Sequence, residues 1–189
     1  MPYTTADASA AAPGALVDRL GGPVEQWICG YHGWMSGTQE EPRWLDAEEW
    51  RAWRNYIAGQ ALLLGRLGRE LQDTHDLAFA DYEILVRLSE KDDHRQRMTS
   101  LAEEVVASKS RLSHQIARLE AQGLVRREVC DSDGRGVFAV LTEDGFARLQ
   151  AAAPDHLHGV REHFVDLLDD EERRVIGDVF ERIVAKLRP

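Results

Sequence analysis

The chain is poor in cysteine, in long apolar runs and in positive charge, and each shortage excludes something. Its 189 residues include two cysteines, Cys29 and Cys130, which form no Cys-x-x-Cys pair, so a zinc ribbon, a thioredoxin motif and a disulfide framework are all excluded. The longest apolar runs cover about one turn of helix, against the roughly 20 residues a membrane-crossing helix needs. No membrane role is expected. Residues 1–13 are small and polar and the first basic residue is Arg19, a start unlike a secretory signal, so the expected location is the cytoplasm. With 23 Lys+Arg against 33 Asp+Glu, a net charge of −10, the whole protein is unsuited to coating nucleic acid without selectivity. The catalytic signatures H-E-x-x-H, G-x-S-x-G, G-x-x-x-x-G-K and G-x-G-x-x-G are missing too, and no pair of carboxylates stands isolated on an apolar background. The expectation is a protein that is not an enzyme and carries no cofactor.

What is present is a helical pattern. At 43% apolar and 30% charged residues, the chain can bury one core and is not a disordered polymer. Residues 1 to 40 are rich in small residues but contain Trp27, Ile28, Tyr31 and Trp34, which reads as a loose extension with one docking segment. Asp46 followed by Glu49 forms a capping box. From there Trp50, Trp53, Ile57, Leu64, Leu67 and Leu71 recur at three- and four-residue spacing, predicting one apolar stripe on a helix of about 25 residues, roughly 38 Å long. A shorter helix is expected over residues 81–89 with Tyr82, Leu85, Val86 and Leu88 inward. Residues 91–97 contain no apolar side chain and read as a solvated loop.

Two short helices are expected over residues 99–106 and 109–122, the second ended by Gly123 in the left-handed region. Strands follow at 124–129 and 137–141. The segment Asp131-Ser132-Asp133-Gly134-Arg135-Gly136 between them has the chemistry of a hairpin tip. Thr142 caps a helix whose stripe (Phe146, Leu149, Ala153, Leu157, Val160, Phe164, Leu167) continues to about residue 168 across Pro154, where a kink is expected. A last helix opens at Asp169 with Glu172 as capping partner and repeats Val175, Ile176, Val179, Phe180, Ile183, Val184 and Leu187 along one side. The long stripes hold more apolar surface than a small head of about 60 residues can cover, which points to burial against a second copy; a self-contained helical subdomain is the alternative.

The functional signal lies in the second short helix. With Leu112, Ile116 and Leu119 inward, steps of 100° per residue turn Ser110, His114, Ala117 and Ala121 outward, flanked by Arg111, Ser113 and Arg118. A face of small residues, hydroxyls, an imidazole and guanidiniums, starting at a helix N-terminus, suits close approach to a DNA major groove. An ordinary solvated face has the same periodicity. Residues 95–135 hold eight basic side chains and six acidic ones, leaving 15 basic against 27 acidic elsewhere, a net of −12. An acidic body with a locally basic head fits selective DNA reading.

The run L-A-E-E-V-V-A-S-K-S-R-L-S-H-Q-I-A-R-L-E-A-Q-G-L-V-R-R from Leu101 to Arg127, followed by D-S-D-G-R-G and by L-T-E-D-G from Leu141 to Gly145, resembles the MarR family of winged helix-turn-helix transcription regulators over roughly residues 44–187. The resemblance implies a mainly α fold: a winged helix-turn-helix with a small antiparallel β-wing and long N- and C-terminal dimerisation helices. It divides the chain into an extension (1–43), an N-terminal dimerisation helix (44–78), a winged helix-turn-helix DNA-binding domain (79–141) and C-terminal dimerisation helices (142–189). It implies a homodimer on a pseudo-palindromic double-stranded operator, usually as a repressor. The family's groove-reading positions fall on Ser108, Lys109, Ser110, Arg111, Ser113, His114, Gln115 and Arg118, and its wing-tip arginine, which enters the minor groove, on Arg135. A salt bridge from Arg135 to Asp131 or Asp133 is compatible with that role. The wing tip is slightly poorer in basic residues than is usual for the family.

The same resemblance implies an effector, a small aromatic or anionic molecule held in a cleft, with Trp44, Trp50, Arg51, Arg54, Tyr56, His75 and Tyr82 as candidates; core roles for the tryptophans and solvated arginines are the plainer alternative. Some relatives sense oxidants through a cysteine, which puts Cys29, beside Tyr31 and His32, in view, while Cys130 reads as structural. Metal-sensing relatives exist, but in the cluster Asp155, His156, His158, Glu162 and His163 the first two imidazoles lie about 200° apart on a helix, so a solvated face and no metal is the expectation. A helical module that binds another protein and no DNA is the remaining alternative.

Overall fold

A computed structural model describes residues 43–129 and 136–188. The chain divides into two units, residues 1–45 and 46–189. Of the first, Arg43, Trp44 and Leu45 are described, all three exposed. Cys29, Cys130 and Arg135 lie outside the described residues.

The second unit opens with helix α1 (Ala47–His75). Asp46 Oδ1 accepts from the Glu48 and Glu49 amides at 2.8 and 2.9 Å, and Glu49 Oε2 accepts from the Asp46 amide at 3.0 Å, the capping box that the sequence predicts. At 29 residues α1 is somewhat longer than the stripe alone suggests, and it ends at Asp76 in the left-handed region (φ 47°). Helix α2 (Phe79–Ser89) begins two residues before the expected Asp81 and buries Tyr82, Ile84, Leu85 and Leu88.

The loop expected over residues 91–97 is overturned at its end. Arg95–Arg97 forms strand β1, which pairs antiparallel with β3 (Val137–Leu141), and β3 pairs in turn with β2 (Val125–Val129), giving the order β1-β3-β2. The strand has no apolar residue because its one inward side chain, Gln96, is polar, 8% exposed and donates to Glu104 Oε1 at 2.7 Å. Its outward arginines lie over the Phe138 ring, Arg95 at 4.2 Å and Arg97 at 5.2 Å from the centroid.

After β1 come helices α3 (Met98–Glu104) and α4 (Lys109–Ala121). Gly123 adopts φ +76° as expected of the residue that turns the chain out of α4. Thr142 caps α5 (Glu143–His163), its Oγ1 accepting from the Gly145 amide at 3.0 Å. Gly145 is required by space: a Cβ there would lie 2.1 Å from the Leu124 carbonyl oxygen. The helix runs through Pro154 without interruption but stops at His163, short of the expected residue 168, with Phe164 at φ −140° and a 3-10 turn over Val165–Leu167. Pro154 is on the exposed side, where water can satisfy the carbonyl that the missing N–H leaves. Helix α6 (Asp170–Leu187) starts with the predicted Asp169–Glu172 capping box.

One core joins these elements: Leu71 of α1, Ile84, Leu85 and Leu88 of α2, Leu101 of α3, Leu112, Ile116 and Leu119 of α4, Ala139 and Leu141 of β3, and Leu149 and Ala152 of α5. Each fully buried leucine or isoleucine contributes about 1.5–3 kcal/mol, and together they seat α4 against α2, α3 and the sheet. The ends of the pattern are different. No residue of α6 is buried, and Trp53, Tyr56, Ile57, Leu62 and Leu64 of α1 stay at least 38% exposed. Tyr56 and Phe180, with ring centroids 5.4 Å apart, bring α6 onto α1.

Candidate nucleic-acid interface

Leu112, Ile116 and Leu119 are fully buried, so the roll of α4 is the one its periodicity predicts. Ser110, His114, Ala117 and Ala121 are exposed, with Lys109, Arg111 and Ser113 beside them. Ser108 is the N-cap, its Oγ accepting from the Arg111 amide at 3.2 Å. That cap leaves other amides of the first turn for an anion. The outer face holds no large apolar side chain. Lys109 and Arg111 form no ion pair among the described residues.

Two of the carried-over positions, Gln115 and Arg118, line a surface hollow with Ser108, Ser110, Arg111 and His114 but on its α2 side. Gln115 is 8% exposed, and its Oε1 is buried without a hydrogen-bond partner; it sits on the side of α4 that faces Phe79, Ala80 and Glu83 of α2, which line a cavity with it. Arg118 remains half-exposed, but its guanidinium is bound to Asp81 of α2, Nε to Oδ2 at 2.9 Å and Nη2 to Oδ1 at 2.6 Å. The hydrogen bond to Asp81 holds the Arg118 pKa above its ordinary value, against the opposing effect of burial. Sequence reasoning missed Asp81. Its signal was a carboxylate in the inward-facing part of a helix, a place where an acid needs a partner.

The opposite flank of α4 is tied to the sheet. Arg127 of β2 donates from Nη1 to Glu120 Oε2 at 2.7 Å and from Nη2 to the Ser113 carbonyl at 2.9 Å. Arg126 pairs with Glu128, and Arg95 with both Glu128 and Asp93.

The effector candidates of the second unit do not all converge within one chain. Trp50 is half-buried and Arg51, Arg54 and Tyr56 are exposed near the start of α1, while His75 ends that helix, about 36 Å from Arg51 at 1.5 Å per residue. Trp44 is 61% exposed in the other unit. His75 lines a cavity of about 170 Å3 between α1 and α5 together with Leu67, Glu70, Thr74, Asp155 and His156. Tyr82 stands behind it, its ring centroid 4.5 Å from that of His156.

The acidic and imidazole cluster on α5 is divided among separate partners. Asp155 meets His75 at 2.8 Å, His163 meets Glu70 at 2.9 Å and His158 lies 3.6 Å from Glu162. His156 packs between Phe79 and Tyr82, and its Nδ1 is buried without a partner. Desolvation holds its pKa below the ordinary value, while the charges of Glu83 and Glu70 act the other way.

Comparison with known proteins places this geometry. The MarR family profile matches residues 79–137, from α2 to the start of β3. AbsC, a MarR family transcriptional regulator from Streptomyces coelicolor, superposes with a TM-score of 0.74 and 47% identity over 78% of this chain and 99% of its own. Sco3205, a MarR family regulator from the same organism solved in complex with DNA, gives 0.77 and 43% over 80% and 94%. The HTH-type transcriptional repressor YetL of Bacillus subtilis is 31% identical over 132 residues, 68% of this chain and 70% of its own length.

Proposed function

Because the chain belongs to the MarR family of DNA-binding transcriptional regulators, we propose that it works as a homodimeric cytoplasmic repressor on a pseudo-palindromic operator, and that a small aromatic or anionic effector releases it. The observation that carries the reading is the face of α4: a helix held at its roll by three fully buried side chains, with Ser110, His114 and Ala117 outward and two cations, Lys109 and Arg111, at its N-terminus. Small outward residues admit the helix to the major groove, and on this reading Ser108, Lys109, Arg111 and Ser113 meet base edges or phosphates at its entry. Arg135, outside the described residues, is assigned the minor-groove role that the family resemblance implies.

Homodimerisation is supported by the apolar side chains that α1 and α6 leave uncovered. Two protomers joined there would carry their reading helices about one DNA turn apart. Repression is supported by the relative named as a repressor, and the solved complex of a 43% identical regulator with DNA supports the docking. Effector release has the cavity beside His75 as its support.

The test is a gel shift on the fragment upstream of the protein's own gene, repeated over a salt series. Selective retardation against random DNA of equal length is the expected result. Equal affinity for both sequences at every salt concentration would overturn the reading.

A further inference from the structure

The roll of a reading helix must be set on both flanks as well as underneath, and in this protein the side chains that set it can be named. Successive 100° steps divide α4 into three columns. Arg111, Gln115 and Arg118 face α2, Ser113 and Glu120 face β2, and Ser110, His114, Ala117 and Ala121 lie between them. The column toward β2 is held by the two Arg127 contacts, and the column toward α2 by Asp81. Asp81 is 2% exposed in the first turn of α2. A carboxylate so buried needs a cation or several donors to stay charged there. An arginine fork meets its two oxygens with two parallel bonds and thereby fixes both distance and orientation, which a lysine point charge cannot do.

We propose that Asp81 is a positioning residue for DNA recognition: through Arg118 it fixes the seat of α4 on α2, and Arg118 serves this contact instead of a base pair. The inference rests on the reading of α4 as the DNA-reading helix and goes beyond it by assigning a role to a residue that cannot touch DNA. It also has an unusual sign. Replacing Asp81 with asparagine removes an anion from beside the interface, which by simple electrostatics strengthens DNA binding. A latch demands the reverse, because the freed helix loses its orientation.

The experiment measures affinity by fluorescence anisotropy for two duplexes, the sequence that wild-type protein selects from a random pool and a scrambled control. Wild type, Asp81→Asn, Arg118→Lys and the double variant are compared at a temperature where circular dichroism shows each folded. The expected result is a loss of about tenfold for the selected duplex in each single variant, with scrambled-duplex binding changed by no more than about twofold. The double variant loses no more than the worse single, since both break the same contact. Reduced folding stability alone would not move the selected-to-scrambled ratio of the folded protein. Asp81→Asn binding the selected duplex as tightly as wild type, or tighter, overturns the proposal. If Asp81→Asn does not fold, Arg118→Lys decides alone: a loss that disappears when one base pair of the duplex is changed identifies a base-reading arginine and overturns the latch, and a loss that persists across base-pair changes supports it. Wild-type protein that selects no sequence overturns the recognition reading itself, an outcome distinct from selective wild type with undiminished variants.

Discussion

Ile183 and Val184 test whether the uncovered stripe of α6 is an interface. Both lie in a helix with no buried residue, at 42% and 44% exposure. Truncating them to alanine therefore opens no cavity in the single chain. Full burial of an aliphatic side chain is worth about 1.5–3 kcal/mol, so the exposed two-fifths of each carries about 1 kcal/mol, of which alanine retains a part. In a two-fold dimer each residue counts twice. The pair Ile183→Ala and Val184→Ala should then weaken association by about 3 kcal/mol, or roughly 150-fold in dissociation constant.

Sedimentation equilibrium over a concentration series measures this directly. Asp178→Ala, on the opposite side of α6, serves as the control and should shift association by less than about 0.5 kcal/mol. Helical circular dichroism at high protein concentration should match wild type, and the melting temperature of the variant should depend on concentration more steeply in the accessible range. The reasoning fails if the double variant associates as tightly as wild type, or if wild type itself sediments as a monomer at tens of micromolar.

Arg111→Ala should weaken binding to the selected duplex by about 1–3 kcal/mol if the guanidinium reads a base, and should instead reduce the salt slope by about one unit if it meets a phosphate; a binding isotherm at four salt concentrations separates the two. The slope of the wild-type dimer should be clearly shallower than the about −14 expected if all eight basic residues of residues 95–135 in both protomers neutralised phosphates, because several already face carboxylates. Gly145→Ala should destabilise the fold by about 1–3 kcal/mol, read from denaturant unfolding, since its Cβ would press on the Leu124 carbonyl. His156, held below its ordinary 6.5 by desolvation, binds fewer protons folded than unfolded between its two pKa values, so stability should be complete above about pH 6.5 and fall as pH drops through that window. Melting curves from pH 5 to 8 should show this limb, and His156→Phe should flatten it.

The features legible in the sequence are those decided within one or two turns of chain. Asp46 with Glu49, Asp169 with Glu172, Thr142 with Gly145 and the left-handed Gly123 are local hydrogen-bonding or steric requirements, and each is found where the residues ask for it. The inward triad of α4 is equally local. Strand β1 was not legible, because its pairing partner is more than 40 residues away and its inward residue is a glutamine that depends on Glu104. The end of α5 at His163 was hidden by a stripe that stays in register past it, through Phe164 and Leu167. Five of the effector candidates, Trp50, Arg51, Arg54, Tyr56 and His75, are strung along a 29-residue helix, and spacing in sequence does not bring its two ends together.

Charge shows most clearly where counting stops being informative. Residues 95–135 carry a small positive excess, yet DNA responds to cations that are not already matched. Arg118 faces Asp81, Arg127 faces Glu120, Arg126 faces Glu128, and Arg95 lies between Asp93 and Glu128. Of these acids Glu120 and Glu128 are subtracted in that count while Asp81 and Asp93 lie outside it, so the positions of the acids matter more than their number within the segment. Lys109 and Arg111 lie at the end of α4 where the backbone amides also favour an anion. On the proposed reading of α4, Asp81 and Glu120 engage Arg118 and Arg127 at its two flanks, and Lys109 and Arg111, which form no ion pair among the described residues, are the cations left to meet the duplex.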